Sequence, residues 1–116
     1  MAYTENSKSV TLIAGADLRT HQFKFVSVNA AGAVVLTAAD AKAQGVLLNA
    51  PNTGEAAEVA IDGIVKVECG AVVTRGGDVA SGANGEAKNA ATASVVLGTA
   101  LETGADGRII SILLGR

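Results

Sequence analysis

The groups in this chain that could do chemistry are few. They are one histidine, His21, one cysteine, Cys69, and the carboxylates Glu58, Asp62 and Glu68. General-base catalysis needs a reacting partner within hydrogen-bond reach. His21 lies in the polar stretch Arg19-Thr20-His21-Gln22, with no Ser or Cys at a recognisable motif spacing, so it reads as a solvated loop histidine. Cys69 falls on the apolar phase of its segment and reads as a buried thiol packing as a small hydrophobe. A nucleophilic thiolate would need a base and an electropositive setting, and the sequence shows neither. Glu58, Asp62 and Glu68 alternate along one face with Lys66 between them. Without an Asp-x-Asp-x-Asp-Gly loop, they read as a solvated face with cross-strand ion pairs. Arg75-Gly76-Gly77-Asp78 and Gly82-Ala83-Asn84-Gly85 lack the Lys-Ser/Thr of a phosphate loop and read as β-turns. Tyr3, Phe23 and Phe25 are the whole aromatic set, too few for a stacking ladder. These observations predict no catalytic residue, no cofactor, no metal and no small-molecule substrate.

Composition narrows the classes further. The chain has 116 residues, 49% of them hydrophobic and 3% aromatic, with 14 glycines and one proline. That length predicts a single domain whose core must come from short aliphatic side chains. A net charge of −2, with nine scattered Lys and Arg residues, argues against a nucleic-acid partner, which needs a basic face. The longest apolar runs, such as Ile112 to Leu114, are far too short to span a bilayer, so no membrane partner is expected. Residues 1–8 have no apolar h-region and do not read as a signal peptide. The single Cys69 has no partner for an internal disulfide. Synthesis in a cytoplasm is the expectation.

The elements that must position these groups are β-strands. From Ser9 onward, short apolar runs alternate with Gly, Asn, Asp and Thr, the pattern of an all-β domain rich in turns. The clearest strand is Glu58–Cys69. Val59, Ile61, Gly63, Val65, Val67 and Cys69 form its apolar phase; the other phase is mostly charged. Asp62-Gly63 inside it predicts a bend rather than a hairpin, because the phase survives across it. Other strands are expected at Val10–Ala14, Phe23–Val28, Ala33–Thr37, Gly45–Asn49, Ala71–Thr74, Glu86–Asn89, Ser94–Leu101 and Arg108–Leu114. Turns fall at Asn29–Gly32, Pro51–Gly54, Arg75–Asp78, Ala83–Gly85 and Gly104–Gly107. One short helix over Ala38–Gln44, capped by Thr37 and ended by Gly45, competes with a strand there. Residues 1–8 are polar and aperiodic and read as an extended arm, leaving 9–116 as the β domain.

An internal repeat is visible. Gly32, Gly45 and Gly54 recur 53 residues later as Gly85, Gly98 and Gly107; Val26 and Leu48 recur as Val79 and Leu101; Val59 and Ile61 recur as Ile112 and Leu114. Two similar β units built into one small barrel or sandwich would produce this and would hide the sheet edges.

The order of segments also carries a resemblance. It runs Gly45-Val46-Leu47-Leu48, Val59 to Val67, Gly77-Asp78-Val79, Asn84-Gly85-Glu86-Ala87, Leu97-Gly98-Thr99-Ala100-Leu101, then Gly107-Arg108-Ile109-Ile110-Ser111-Ile112-Leu113-Leu114. Over roughly residues 9 to 114 this resembles the small capsid decoration, or cement, proteins of tailed bacteriophages. The resemblance implies a structural virion protein and not an enzyme. Such a protein sits on the outer surface of the capsid, as a homotrimer, and stabilises the head by bridging subunits of the major capsid protein. It further implies that the arm residues Ala2, Tyr3, Thr4, Glu5, Asn6 and Ser7 contact the capsid by adding to one of its strands. The alternative reading is a small β-barrel binding module, such as an adhesin or carbohydrate-binding domain of a fibre or surface protein. The scarcity of aromatics weighs against it.

Overall fold

A computed structural model of the chain describes residues 5–114, with the backbone alone for residues 5–7. Nine strands and no helix run through the described residues. They are β1 (Glu5–Ala14), β2 (Phe25–Val28), β3 (Ala33–Leu36), β4 (Gly45–Leu47), β5 (Ala56–Glu68), β6 (Asp78–Ser81), β7 (Ala87–Asn89), β8 (Gly98–Ala100) and β9 (Ile109–Leu114). Their hydrogen-bonded order is β1-β3-β2-β4-β5-β9-β8-β6-β7, and β1 also pairs with β5. That extra pairing closes the first five strands into a ring. A parallel bridge from Cys69, just past β5, to Ala87 in β7 closes β5-β9-β8-β6-β7 into another. The all-β domain is therefore two small barrels sharing one long strand, a closure that removes most open sheet edge.

β5 can be shared because it bends. Gly63 has φ 90, a left-handed conformation that glycine adopts without a Cβ clash, and its N–H donates to Asp62 Oδ1 at 2.9 Å. The half before the bend pairs with β4 through Val46↔Ala60 and Leu47↔Val59. The half after it pairs with β9 from Ile64↔Leu113 to Glu68↔Ile109.

The repeat extends to individual hydrogen bonds. In the first barrel β2 pairs with β3 through Val26↔Leu36, Ser27↔Val35 and Val28↔Val34. In the second, β6 pairs with β7 through Val79↔Asn89, Ala80↔Lys88 and Ser81↔Ala87, each position 53 residues on. The opening strands match at a spacing of 55. Val10↔Val59 and Leu12↔Ala57 in β1–β5 correspond to Val65↔Ile112 and Val67↔Ile110 in β5–β9. The change from 55 to 53 falls between Leu18 and Phe23, whose counterparts are Val73 and Gly76. Leu18 N donates to Pro51 O as Val73 N does to Gly104 O; Phe23 N donates to Leu47 O as Gly76 N does to Ala100 O.

The cores repeat as well. Ala14, Leu18, Val26, Val34, Leu47, Ala57 and Val59 fill the first barrel. Their counterparts Cys69, Val73, Val79, Ala87, Ala100, Ile110 and Ile112 fill the second. Each Val, Leu or Ile among them contributes about 1.5–3 kcal/mol when fully buried. Val67 in the second cluster corresponds to Leu12, which packs half-buried against the first. The second cluster also holds residues outside the repeated set: Phe25, Val46 and Ala60 from the first barrel, and Val65, Leu97 and Leu114 from the second. These form the junction.

Several expectations are corrected. No helix forms over Ala38–Gln44. Asp40 there has φ 61, and its N–H donates across the junction to Ser81 O at 2.9 Å, so tertiary anchoring replaces helical bonding. Ala71–Thr74 is not a strand; Val73 alone makes a bridge, to Gly104. Ser94–Leu101 shrinks to β8. β6 occupies Asp78–Ser81, where only a turn ending at Asp78 was expected. Of the arm assigned to residues 1–8, Met1, Ala2, Tyr3 and Thr4 lie outside the described residues. Glu5–Lys8 is the leading part of β1, with irregular register between Glu5 and Lys8 and again between Lys8 and Ser9.

Candidate functional site

The groups singled out for chemistry do not converge. Cys69 is buried, and its thiol is pushed up to about 11 by burial, so it holds its proton at neutral pH. Glu58 accepts a 2.7 Å hydrogen bond from Ser9 Oγ, and Asp62 is occupied with the Gly63 amide. No group of three metal-ligating side chains exists among the described residues. Away from this strand, Arg19 pairs with Asp17 at 2.8 Å and Lys88 with Asp40 at 2.8 Å. Hydrogen bonds from Arg19 hold the exposed Asp17 carboxyl down at about 2. His21 is a correction. It is half-buried, and its Nδ1 is shielded with no hydrogen-bond partner among the described residues.

What the fold does build is contact surface. Phe25, Val46 and Ala60 turn out of the first barrel and are wholly buried against the second. Their counterparts 53 residues on are Asp78, Thr99 and Leu113. Asp78 and Leu113 are exposed and Thr99 is half-buried. On the other side of the junction, Val65, Leu97 and Leu114 are buried, while their counterparts Val10, Gln44 and Ile61 are exposed. The two barrels thus meet through non-equivalent faces, a heterologous contact in which the counterparts of the buried residues stay partly or largely exposed. Ile61, on the apolar phase of its strand, is 43% exposed beside the junction, and Leu113 is 46% exposed. A hollow of about 310 Å³ follows the junction, lined by Phe25, Ala43, Ile61, Val95, Leu97 and Leu114 among others.

A polar clasp fixes the junction. Asp40 receives Ser94 Oγ at 2.5 Å and Lys88 Nζ at 2.8 Å, and its carbonyl accepts from Val95 N at 3.1 Å. Lys88 first, then the Ser94 hydroxyl, holds the Asp40 carboxyl below the usual carboxylate range. Phe25 N donates to Gly85 O at 2.7 Å beside it. Sequence reasoning passed over these residues, although the failing repeat at Phe25/Asp78 was a legible sign of asymmetry.

No family model and no curated protein matches the sequence. A solved structure does, described as the head fiber gp8.5 N base in bacteriophage phi29. The match has a TM-score of 0.77 at 17% identity and covers 94% of each chain. The two chains share a fold. At that identity the likeness concerns architecture; it spans both barrels and so includes the junction.

Proposed function

We propose that this chain is a structural protein of a phage head that binds the outer surface of the capsid and stabilises it by bridging subunits of the major capsid protein. The observation that carries this reading is the full-length likeness to the head fiber N base. It agrees with the resemblance to cement proteins noted in the sequence. The geometry is suited to the task. Two closed barrels locked by a buried junction make a stiff body, and a stiff body that touches two neighbours converts many weak contacts into one strong one. The acidic balance disfavours capture of DNA.

We propose further that the chain acts as a homotrimer. Asp78, Thr99 and Leu113 on the second barrel stand where Phe25, Val46 and Ala60 of the first are buried, and this face offers a surface for a further copy of the chain. Head-to-tail contacts between copies can close into a ring. The experiment is co-sedimentation of the purified chain with expanded, undecorated heads of the phage that encodes it. Binding that saturates in threes, and heads that resist heat better once decorated, is expected. Heads that pellet without it would overturn the reading.

A further inference from the structure

Duplication gives the fold an internal control, and it singles out one sheet edge. β1 opens the first barrel as the second half of β5 opens the second, so Ser9, Val10, Thr11, Leu12 and Ile13 correspond to Ile64, Val65, Lys66, Val67 and Glu68. In both strands alternate main-chain groups bond within the ring: Ala14 N donates to Glu55 O at 2.9 Å as Cys69 N does to Arg108 O at 2.8 Å. By that alternation the N–H and C=O groups of Ser9 and Thr11 point away from β5, and those of Ile64 and Lys66 away from β9. The two edges then differ. The second is closed from outside its barrel: the leading part of β1 places Glu5 opposite Ile64, and Glu68 N donates to Phe23 O at 2.8 Å. Along the first, β3 reaches only Ile13 and Ala14, and no described strand lies against Ser9 or Thr11. The inward side chains record the difference. Val65 and Val67 are wholly buried, whereas Val10 is 38% exposed and Leu12 half-buried. Native proteins blunt an open edge with a charge, a proline or a bulge. Past the register shift at Lys8/Ser9, the regularly paired run Ser9–Ile13 carries none of these.

We infer that the outer edge of β1, from Ser9 to Leu12, takes an extended segment of a capsid subunit as an added strand, an assignment that rests on the proposed function above. The twin edge sets the kind of occupant, because what covers it is an antiparallel strand coming from outside that barrel. This chain has no such strand to spare for the first barrel. Among the described residues every other strand pairs on both sides, and the leading part of β1 already lies on β5. Main-chain hydrogen bonds to Ser9 and Thr11 supply the affinity, and apolar residues at alternate positions of the added strand cover Val10 and Leu12.

The test compares head binding by the parent chain with that of Thr11→Pro and, as a second variant, Ser9→Pro. Proline removes an N–H that the barrel does not use and is tolerated on an edge strand where that N–H faces outward. Both variants are expected to melt close to the parent and to bind expanded heads roughly tenfold or more weakly. Hydrogen exchange gives a second readout: the Ser9 and Thr11 amides are expected to exchange fast in the chain alone and slowly on heads. Variants that fold and bind with parental affinity, or amides that stay fast on heads, would overturn the edge assignment and leave the proposed function standing. Slow exchange of these amides in the chain alone at high concentration would overturn the capsid subunit as occupant and give the edge to a second copy. Failure of both variants to fold would overturn the claim that these amides lie outside the barrel's own bonding. A parent chain that does not bind heads would overturn both the assignment and the proposed function.

Discussion

The first and second barrels are built on one plan, yet only one face of each is committed to the other. The first turns Phe25, Val46 and Ala60 inward to the junction, while the second leaves Asp78, Thr99 and Leu113 in the same places outward. The shared positions show what this fold demands: aliphatic residues inside each ring, glycine where backbones touch, and turns that accept positive φ. The unshared positions show how the two units are held together, through Phe25, Val46 and Ala60 of the first barrel buried against the second.

The shared demand is tested most severely at Gly45 and Gly98. A Cβ at Gly45 would meet Ala60 O at 1.9 Å, and one at Gly98 would meet Leu113 O at 2.4 Å. Both clashes are with backbone, so Gly45→Ala and Gly98→Ala are each expected to lose about 4 kcal/mol or more, or not to fold. Denaturant titration checks this, and a mild effect at one site alone would break the equivalence. The junction should instead separate the twins. Phe25→Ala is expected to cost about 3–5 kcal/mol, and Asp78→Ala, its exposed counterpart, no more than about 0.5 kcal/mol. Equal losses would mean that the contact is not heterologous.

A smaller contrast lies at the turns. Gly32 and Gly85 have φ 81 and 80. A Cβ at Gly32 meets nothing within 4 Å, whereas one at Gly85 meets Phe25 O at 2.5 Å. Gly32→Ala should cost about 1 kcal/mol, the left-handed penalty alone, and Gly85→Ala clearly more. The smallest effect concerns the clasp. The folded-state value of Asp40 is depressed, so its contribution is present above the unfolded value and fades as pH falls through the folded one. Asp40→Asn should therefore melt below the parent at pH 7, and the gap should close as pH drops below about 3.9, the ordinary aspartate value. A gap independent of pH would remove the ion pair from the account.

The all-β class, the bend in β5 and most turns were legible because they depend on local chemistry: period-two alternation, and Gly or Asn where φ must be positive. The glycine repeat pointed to the duplication. Carried through from Val26 to Val79, it would also have located β6, which a turn signal at Gly76-Gly77 obscured. The double use of β5 was hidden because the repeat spacing changes from 55 to 53 within one loop. The failed helix at Ala38–Gln44 was hidden because the partners of Asp40 are Ser81, Lys88, Ser94 and Val95, far away in sequence. The junction faces were illegible for a similar reason: a half-apolar strand looks alike whether its outer face meets water or a second barrel.

The central claim is that this two-barrel body clamps neighbouring subunits of a phage head. Cryo-electron microscopy of the particle that carries it tests the claim directly. The expected map shows both barrels on the outer surface of the shell, in contact with at least two capsid subunits at a site where they meet. A map that places the chain inside the head, on the tail only, or on a single subunit without spanning to its neighbour would contradict the account.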